Sequence, residues 1–130
     1  MASTDRDSLL ALFDATDGAN WTNNTGWGTD DDLSQWYGVG VNDQGRVVTL
    51  YLSQNYLRGH IPRQLGDLGA LQFLSLAKNK LDGPIPEELG KLTALQELYL
   101  CGNKLSGPIP PELGGPGKLE TLWLQNNELA

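Results

Sequence analysis

From Val47 to the C-terminus, apolar and polar positions repeat every 24 residues. The copies are Val47-Val-Thr-Leu-Tyr-Leu-Ser-Gln-Asn55-Tyr-Leu57, Leu71-Gln-Phe-Leu-Ser-Leu-Ala-Lys-Asn79-Lys-Leu81, Leu95-Gln-Glu-Leu-Tyr-Leu-Cys-Gly-Asn103-Lys-Leu105 and Leu119-Glu-Thr-Leu-Trp-Leu-Gln-Asn-Asn127-Glu-Leu129. The Leu-x-Leu at the centre of each predicts a short strand, because alternate side chains point to opposite faces. The leucines point inward, and each one buried contributes about 1.5–3 kcal/mol relative to exposure. Leu57-Arg-Gly-His-Ile-Pro62, Leu81-Asp-Gly-Pro-Ile-Pro86 and Leu105-Ser-Gly-Pro-Ile-Pro110 follow. There glycine permits a bend, and proline blocks a helix and removes a donor. Leu65-Gly66, Leu89-Gly90 and Leu113-Gly114 then predict one helical or 3-10 turn on the outer face. The third copy departs at Gly114-Gly-Pro-Gly117, with Pro116 where Leu92 stands, which predicts a looser outer segment.

Residues 1–46 have a different pattern and form a predicted capping region. Thr4 and Asp7 have the spacing of a capping box. Leu9, Leu10, Leu12 and Phe13 give an apolar stripe at helical spacing, so a helix is predicted from Asp5 to Thr16, with Gly18 as its stop. A turn-rich run holding Trp21, Trp27 and Trp36 follows. Burying one such ring removes on the order of 150–250 Å² from water, so the three are predicted to plug the end of the first repeat. Tyr37 to Val41 and Arg46 to Leu52 flank Asn42-Asp-Gln-Gly45, which predicts a hairpin. Repeats are predicted at 47–70, 71–94 and 95–118, with a partial one at 119–130. Asn55, Asn79, Asn103 and Asn127 share a register, where stacked amides would bond the neighbouring turn. Each such bond is worth about 1 kcal/mol net.

Composition narrows the function classes. The 130 residues suit one domain. Acidic residues outnumber basic ones by 16 to 9, for a net charge of −7, which argues against nucleic acid or an anionic membrane as partner. No apolar run has the length of a transmembrane helix, and the N-terminus shows no signal-peptide pattern. Cys101 is the only cysteine, so no internal disulfide forms, and a reducing compartment is expected.

The repeats resemble the plant-type leucine-rich repeat, L-x-x-L-x-L-x-x-N-x-L-x-G-x-I-P-x-x-L-G-x-L, from Val47 to Ala130. The first segment is similar to the cap of plant receptor kinases, whose C-x-W-x-G-V-x-C element reads here Ser34-Gln-Trp36-Tyr-Gly38-Val39-Gly-Val41. Both cysteine positions have changed, to Ser34 and Val41. The N-W-T…T-G-W-G run resembles caps of leucine-rich repeat proteins in algae and other protists, including ROCO-type GTPases. The resemblance implies an α/β repeat solenoid: right-handed, with a concave parallel sheet, a short helical or 3-10 convex side and a helix-plus-hairpin cap. It also implies a non-catalytic recognition role.

Residues between the strand leucines should line the concave face: Thr49, Phe73, Glu97 and Thr121 at the third position, Tyr51, Ser75, Tyr99 and Trp123 at the fifth, Ser53, Ala77, Cys101 and Gln125 at the seventh. Tyr51, Phe73, Tyr99 and Trp123 make an aromatic track of the kind enriched in binding hot spots, with Glu97 and Lys78 adding charge selectivity. Tyr51, Phe73, Lys78, Glu97, Tyr99, Thr121 and Trp123 are therefore the candidate partner-binding residues. The alternative is that the rings merely cover the sheet by stacking on one another.

Other candidates are weaker. Cys101 lacks a nearby base, since the one histidine, His60, lies two repeats away, and it is read as a surface thiol. Asp30-Asp31-Asp32 lacks a calcium-loop pattern. Asn20-Trp-Thr22 and Asn23-Asn-Thr25 are glycosylation sequons only in a secreted chain. The glycines do not have phosphate-loop spacing. No cofactor or metal site is expected.

The expected function is recognition of a protein or peptide, as the N-terminal part of a larger cytoplasmic signalling or immune-like protein. The alternative is an extracellular receptor-type ectodomain. The last repeat carries no capping helix, so self-association through that end is also expected.

Overall fold

The structure, a computed structural model, describes residues 4–114 and 119–130. The departure expected at Gly115 to Gly117 lies outside them. Helix α1 spans Asp5–Ala15. Thr4 caps it with both halves of the capping box: its hydroxyl accepts from the Asp7 N–H at 3.1 Å, and the Asp7 carboxylate accepts from the Thr4 N–H at 3.3 Å. The helix ends one residue earlier than predicted. Thr16 is the C-cap, with both its N–H and its hydroxyl bonded to the Leu12 carbonyl. The left-handed residue is Asp17 (φ 61°), not Gly18; aspartate tolerates that conformation. Gly18 is needed for space instead, since a Cβ there would lie 2.2 Å from the Phe13 ring.

Strand β1 (Val39–Val41) pairs antiparallel with β2 (Val47–Tyr51) across the predicted hairpin. The Asn42 side-chain oxygen closes the turn by accepting from the Gln44 and Arg46 N–H groups. The chain continues through β3 (Arg58–His60), β4 (Phe73–Ser75), β5 (Lys80–Gly83), β6 (Glu97–Tyr99), β7 (Lys104–Gly107), β8 (Thr121–Trp123) and β9 (Glu128–Leu129). One sheet has the order β1-β2-β4-β6-β8. From β2 onward it is parallel and steps by one repeat, Thr49 to Phe73 to Glu97 to Thr121. Its middle leucines, Leu50, Leu74 and Leu98, are fully buried. On the outer side run 3-10 turns at Arg63–Asp67, Glu87–Lys91 and Pro111–Gly114, whose Leu65, Leu89 and Leu113 close the core.

A second ladder, β3-β5-β7-β9, runs along the flank between the strands and the outer turns. It was not expected from the Gly-x-Ile-Pro block, which shows no period-two alternation. Stacking creates it: once repeats sit at strand spacing, any extended stretch meets its copy and bonds to it. Gly59 (φ 115°) allows α1 to come close to this flank, since a Cβ there would lie 2.3 Å from the Ala15 carbonyl oxygen. The Arg58 N–H then donates to the Thr16 carbonyl.

Candidate functional site: the strand face

The outward positions of β2, β4, β6 and β8 fall into two rows. One holds Thr49, Phe73, Glu97 and Thr121, the other Tyr51, Ser75, Tyr99 and Trp123. The expected aromatic track is therefore three rings in one row, with Phe73 alone in the other. Tyr99 and Trp123 touch edge to face, their ring centroids 5.0 Å apart. Trp123 is 50% exposed and Tyr51 46%, while Phe73, Glu97, Tyr99 and Thr121 are partly buried. Ser75, between the two tyrosines, is buried, and its hydroxyl shares a 2.6 Å hydrogen bond with Ser53.

Glu97 organises the electrostatics of this face. The Tyr99 hydroxyl donates to its Oε1. That bond, then burial, then the charges of Glu97 and Tyr51 raise the Tyr99 phenol above its ordinary pKa. Burial and the Glu97 charge raise Tyr51 as well. Among the described residues no cation comes within salt-bridge distance of Glu97; the ion pairs present are Arg46–Asp5, His60–Asp82 and Lys91–Asp67.

Three expected face residues sit elsewhere. Lys78 lies past the end of β4 in a left-handed turn (φ 58°), and its stem would meet a Cβ added at Gly102. It does not join the Glu97 row. Ala77 and Cys101 are buried, so the Cys101 thiol is not at the surface as expected. The cover is confined to the middle repeats, since Ser53 and Gln125 at the same register are exposed.

The asparagine ladder holds this face in register. The Asn79 Oδ1 accepts from the N–H groups of Asn55 and Leu57, and its Nδ2 donates to the carbonyls of Leu52, Leu76 and Ala77. Asn103 and Asn127 repeat the scheme, accepting from Leu81 and Leu105. Asn55 instead binds Asn23 through both the N–H and the carbonyl of that residue, which ties the ladder to the N-terminal region. There Trp21, Trp27 and Trp36 are buried as expected. Phe13 joins them, 5.2 Å from Trp21 and stacked at 5.9 Å on Trp27. Sequence reasoning missed Asp5, which is buried and holds the Arg46 guanidinium with both oxygens and also the Val47 N–H. The Arg46 pKa rises as a result. The only signal was an acidic residue in the first helical turn.

Two clefts lie off the strand face. One, of about 780 Å³, is lined by Asp5, Arg6, Asp32, Ser34, Val41 and Arg46 among others. Its main charges are already engaged: Arg46 by Asp5, and Arg6 by the carbonyls of Thr29 and Asp31 and the Trp36 ring. The other, of about 540 Å³, lies on the flank beside Arg58, Lys80 and Lys104. Ligand sites are mostly apolar with a few convergent polar groups, and the flank cleft, whose lining is mainly polar, lacks that character. Among the described residues no group of His, Cys, Asp or Glu is placed to hold a metal ion, and no helix is long and apolar enough to cross a membrane.

A family model described as Leucine Rich Repeat matches residues 46–68, 70–92 and 94–116. No curated protein matches the chain. Among solved structures it is similar to that titled PEPR1-AtPEP1, with 30% identity and a TM-score of 0.83, over 96% of this chain and 18% of that one. The plant peptide hormone receptor RGFR1 in complex with RGF2 is 43% identical, with a TM-score of 0.62, over 63% of this chain and 13% of that one. The leucine-rich repeat ectodomain of the receptor kinase SOBIR1 from Arabidopsis thaliana is 25% identical, with a TM-score of 0.79, over 99% of this chain and 70% of that one. The chain thus spans less than a fifth of the length of the first two.

Proposed function

This chain belongs to the leucine-rich repeat family, and from that premise we propose that it recognises an extended peptide or protein segment on the face of β2, β4, β6 and β8, as a module of the receptor-ectodomain type. The observation that carries this is the aromatic row, with Tyr51 and Trp123 exposed, beside the Glu97 carboxylate, which has no ion-pair partner among the described residues. Core leucines are dictated by packing, whereas large rings half open to water on a polar sheet are typical of interface anchors. Similarity to a peptide hormone receptor and to a receptor-kinase ectodomain supports the reading. It also favours the extracellular alternative over the cytoplasmic assignment, which rests on the lone cysteine, the lack of a signal-peptide pattern and the replacement of the cap cysteines by Ser34 and Val41. The sequon residues Asn20 and Asn23 are exposed and partly buried, respectively. Glycan at either, measured by mass on protein from its native source, supports secretion, and unmodified asparagines count against it.

The binding test uses a peptide selected from a displayed random library against the folded chain. Tyr99→Ala and Trp123→Ala each weaken it at least about tenfold, as removing a hot spot does. Melting falls by only a few degrees, since the rings lie largely outside the core. Unchanged affinity, or a collapse in melting temperature, assigns the rings to covering the sheet instead. Self-association is a secondary proposal. Leu122 is 36% exposed where Leu50, Leu74 and Leu98 are fully covered, and light scattering of the 130-residue chain at rising concentration tests it, a strict monomer counting against it.

A further inference from the structure

The Tyr51–Ser75–Tyr99–Trp123 row has a gap. Ser75 is the one small residue in it, buried between two tyrosines on the neighbouring strands. Strands stand about 4.8 Å apart, so the two rings flank a slot on the order of 10 Å wide, floored by the Ser53–Ser75 hydroxyl pair. Phe73 lies two residues before Ser75 along β4, on the same face. Glu97, directly opposite Phe73 and diagonal to Ser75, borders the slot. One of its carboxylate oxygens takes the Tyr99 hydroxyl; among the described residues the other has no partner, and no ion pair neutralises the group. Its charge helps raise the pKa of both phenols.

An aliphatic side chain in this slot would desolvate a carboxylate with nothing to replace its water, which is costly. A carboxylate would be repelled. A cation at the middle of the slot would lie about 5 Å from each ring, within the roughly 6 Å over which aromatic faces attract cations. It would also pair with the free oxygen of Glu97. Between the two common cations, a flat guanidinium stacks on rings better than a compact, strongly hydrated ammonium. We propose that the slot over Ser75 takes an arginine side chain of an extended peptide partner, held between Tyr51 and Tyr99 and paired with Glu97. The chain's net charge of −7 favours approach of such a partner.

The proposal rests on the strand-face reading, and the test separates the two. Peptides are selected from a displayed random library against the folded chain, and the best are resynthesised with each arginine replaced by citrulline, which is neutral and nearly the same shape. The selected peptides are expected to share an arginine. Its replacement by citrulline lowers affinity about tenfold, Glu97→Gln does the same, and in the Glu97→Gln protein the arginine and citrulline peptides bind alike. Peptides that lose affinity on Tyr99→Ala or Trp123→Ala but ignore both Glu97→Gln and citrulline overturn the arginine slot alone. Peptides indifferent to every substitution on this face overturn the slot and the face together.

Discussion

Trp36 is only 2% exposed, the most buried of the three tryptophans near the N-terminus, yet its indole N–H has no partner among the described residues. The Trp21 and Trp27 indoles donate to the carbonyls of Thr16 and Tyr37 at 3.0 and 2.9 Å. Replacing any of them by phenylalanine opens a similar void. Only at Trp21 and Trp27 is a hydrogen bond lost as well, worth about 1 kcal/mol. Chemical denaturation should therefore find Trp36→Phe the mildest of the three by about that amount; if it proves the most damaging, these indole bonds contribute little. Titration reports on Tyr51 and Tyr99, whose pKa values the fold raises. A raised value means the folded state favours the neutral phenol. That contribution is complete below the ordinary value of about 10 and is lost as pH climbs through the folded-state value. Alkaline spectrophotometric titration should show both ionising late and Glu97→Gln bringing Tyr99 closer to the ordinary value. No change on Glu97→Gln would remove Glu97 from its assigned place. Most residue-scale detail was legible where it repeats. Tyr51, Tyr99 and Trp123 could be placed on the face because the repeat fixes their parity. The cover over Cys101 was not legible, because its register is open at Ser53 and Gln125 and closed only in the middle repeats.

At the scale of the element, each strand pair depends on an asparagine amide that serves backbone groups which the turns leave unpaired. Asn79 is the fullest case, buried and bonded to groups of its own repeat and the preceding one. Asn79→Ala strands several polar groups at once and should cost about 3 kcal/mol in urea unfolding. Asn127→Ala, at a position only partly buried, should cost clearly less because water replaces part of what is lost. Equal costs would argue that burial does not set the ladder's value. The main strands, the hairpin and the outer 3-10 turns could be read from spacing alone. The flank ladder could not, because it arises between repeats: Arg58 meets Lys80, and Asp82 meets Lys104, through the backbone and without any side-chain pattern. The helix end shifted for a local reason, since the buried Thr16 hydroxyl bonds the Leu12 carbonyl and closes α1 before the glycine is reached.

Across the whole molecule, the repeats form one continuous hydrophobic core from α1 to the last 3-10 turn. Repeat stacking leaves the strand face as the surface free to vary, because inward positions are fixed by packing and the outer turns by their leucines. The fold was legible from the period. The compartment was not, because two substituted cysteines say how a cap is held together and not where the protein resides. The chain is small enough for residue-resolved NMR, and amide shifts on titrating a selected peptide into labelled protein test the recognition surface directly. The largest shifts should fall on β2, β4, β6 and β8 around Tyr51, Ser75, Glu97, Tyr99 and Trp123. Shifts confined to the flank ladder, the outer turns or the cleft beside Arg46 would contradict the strand face as the binding surface.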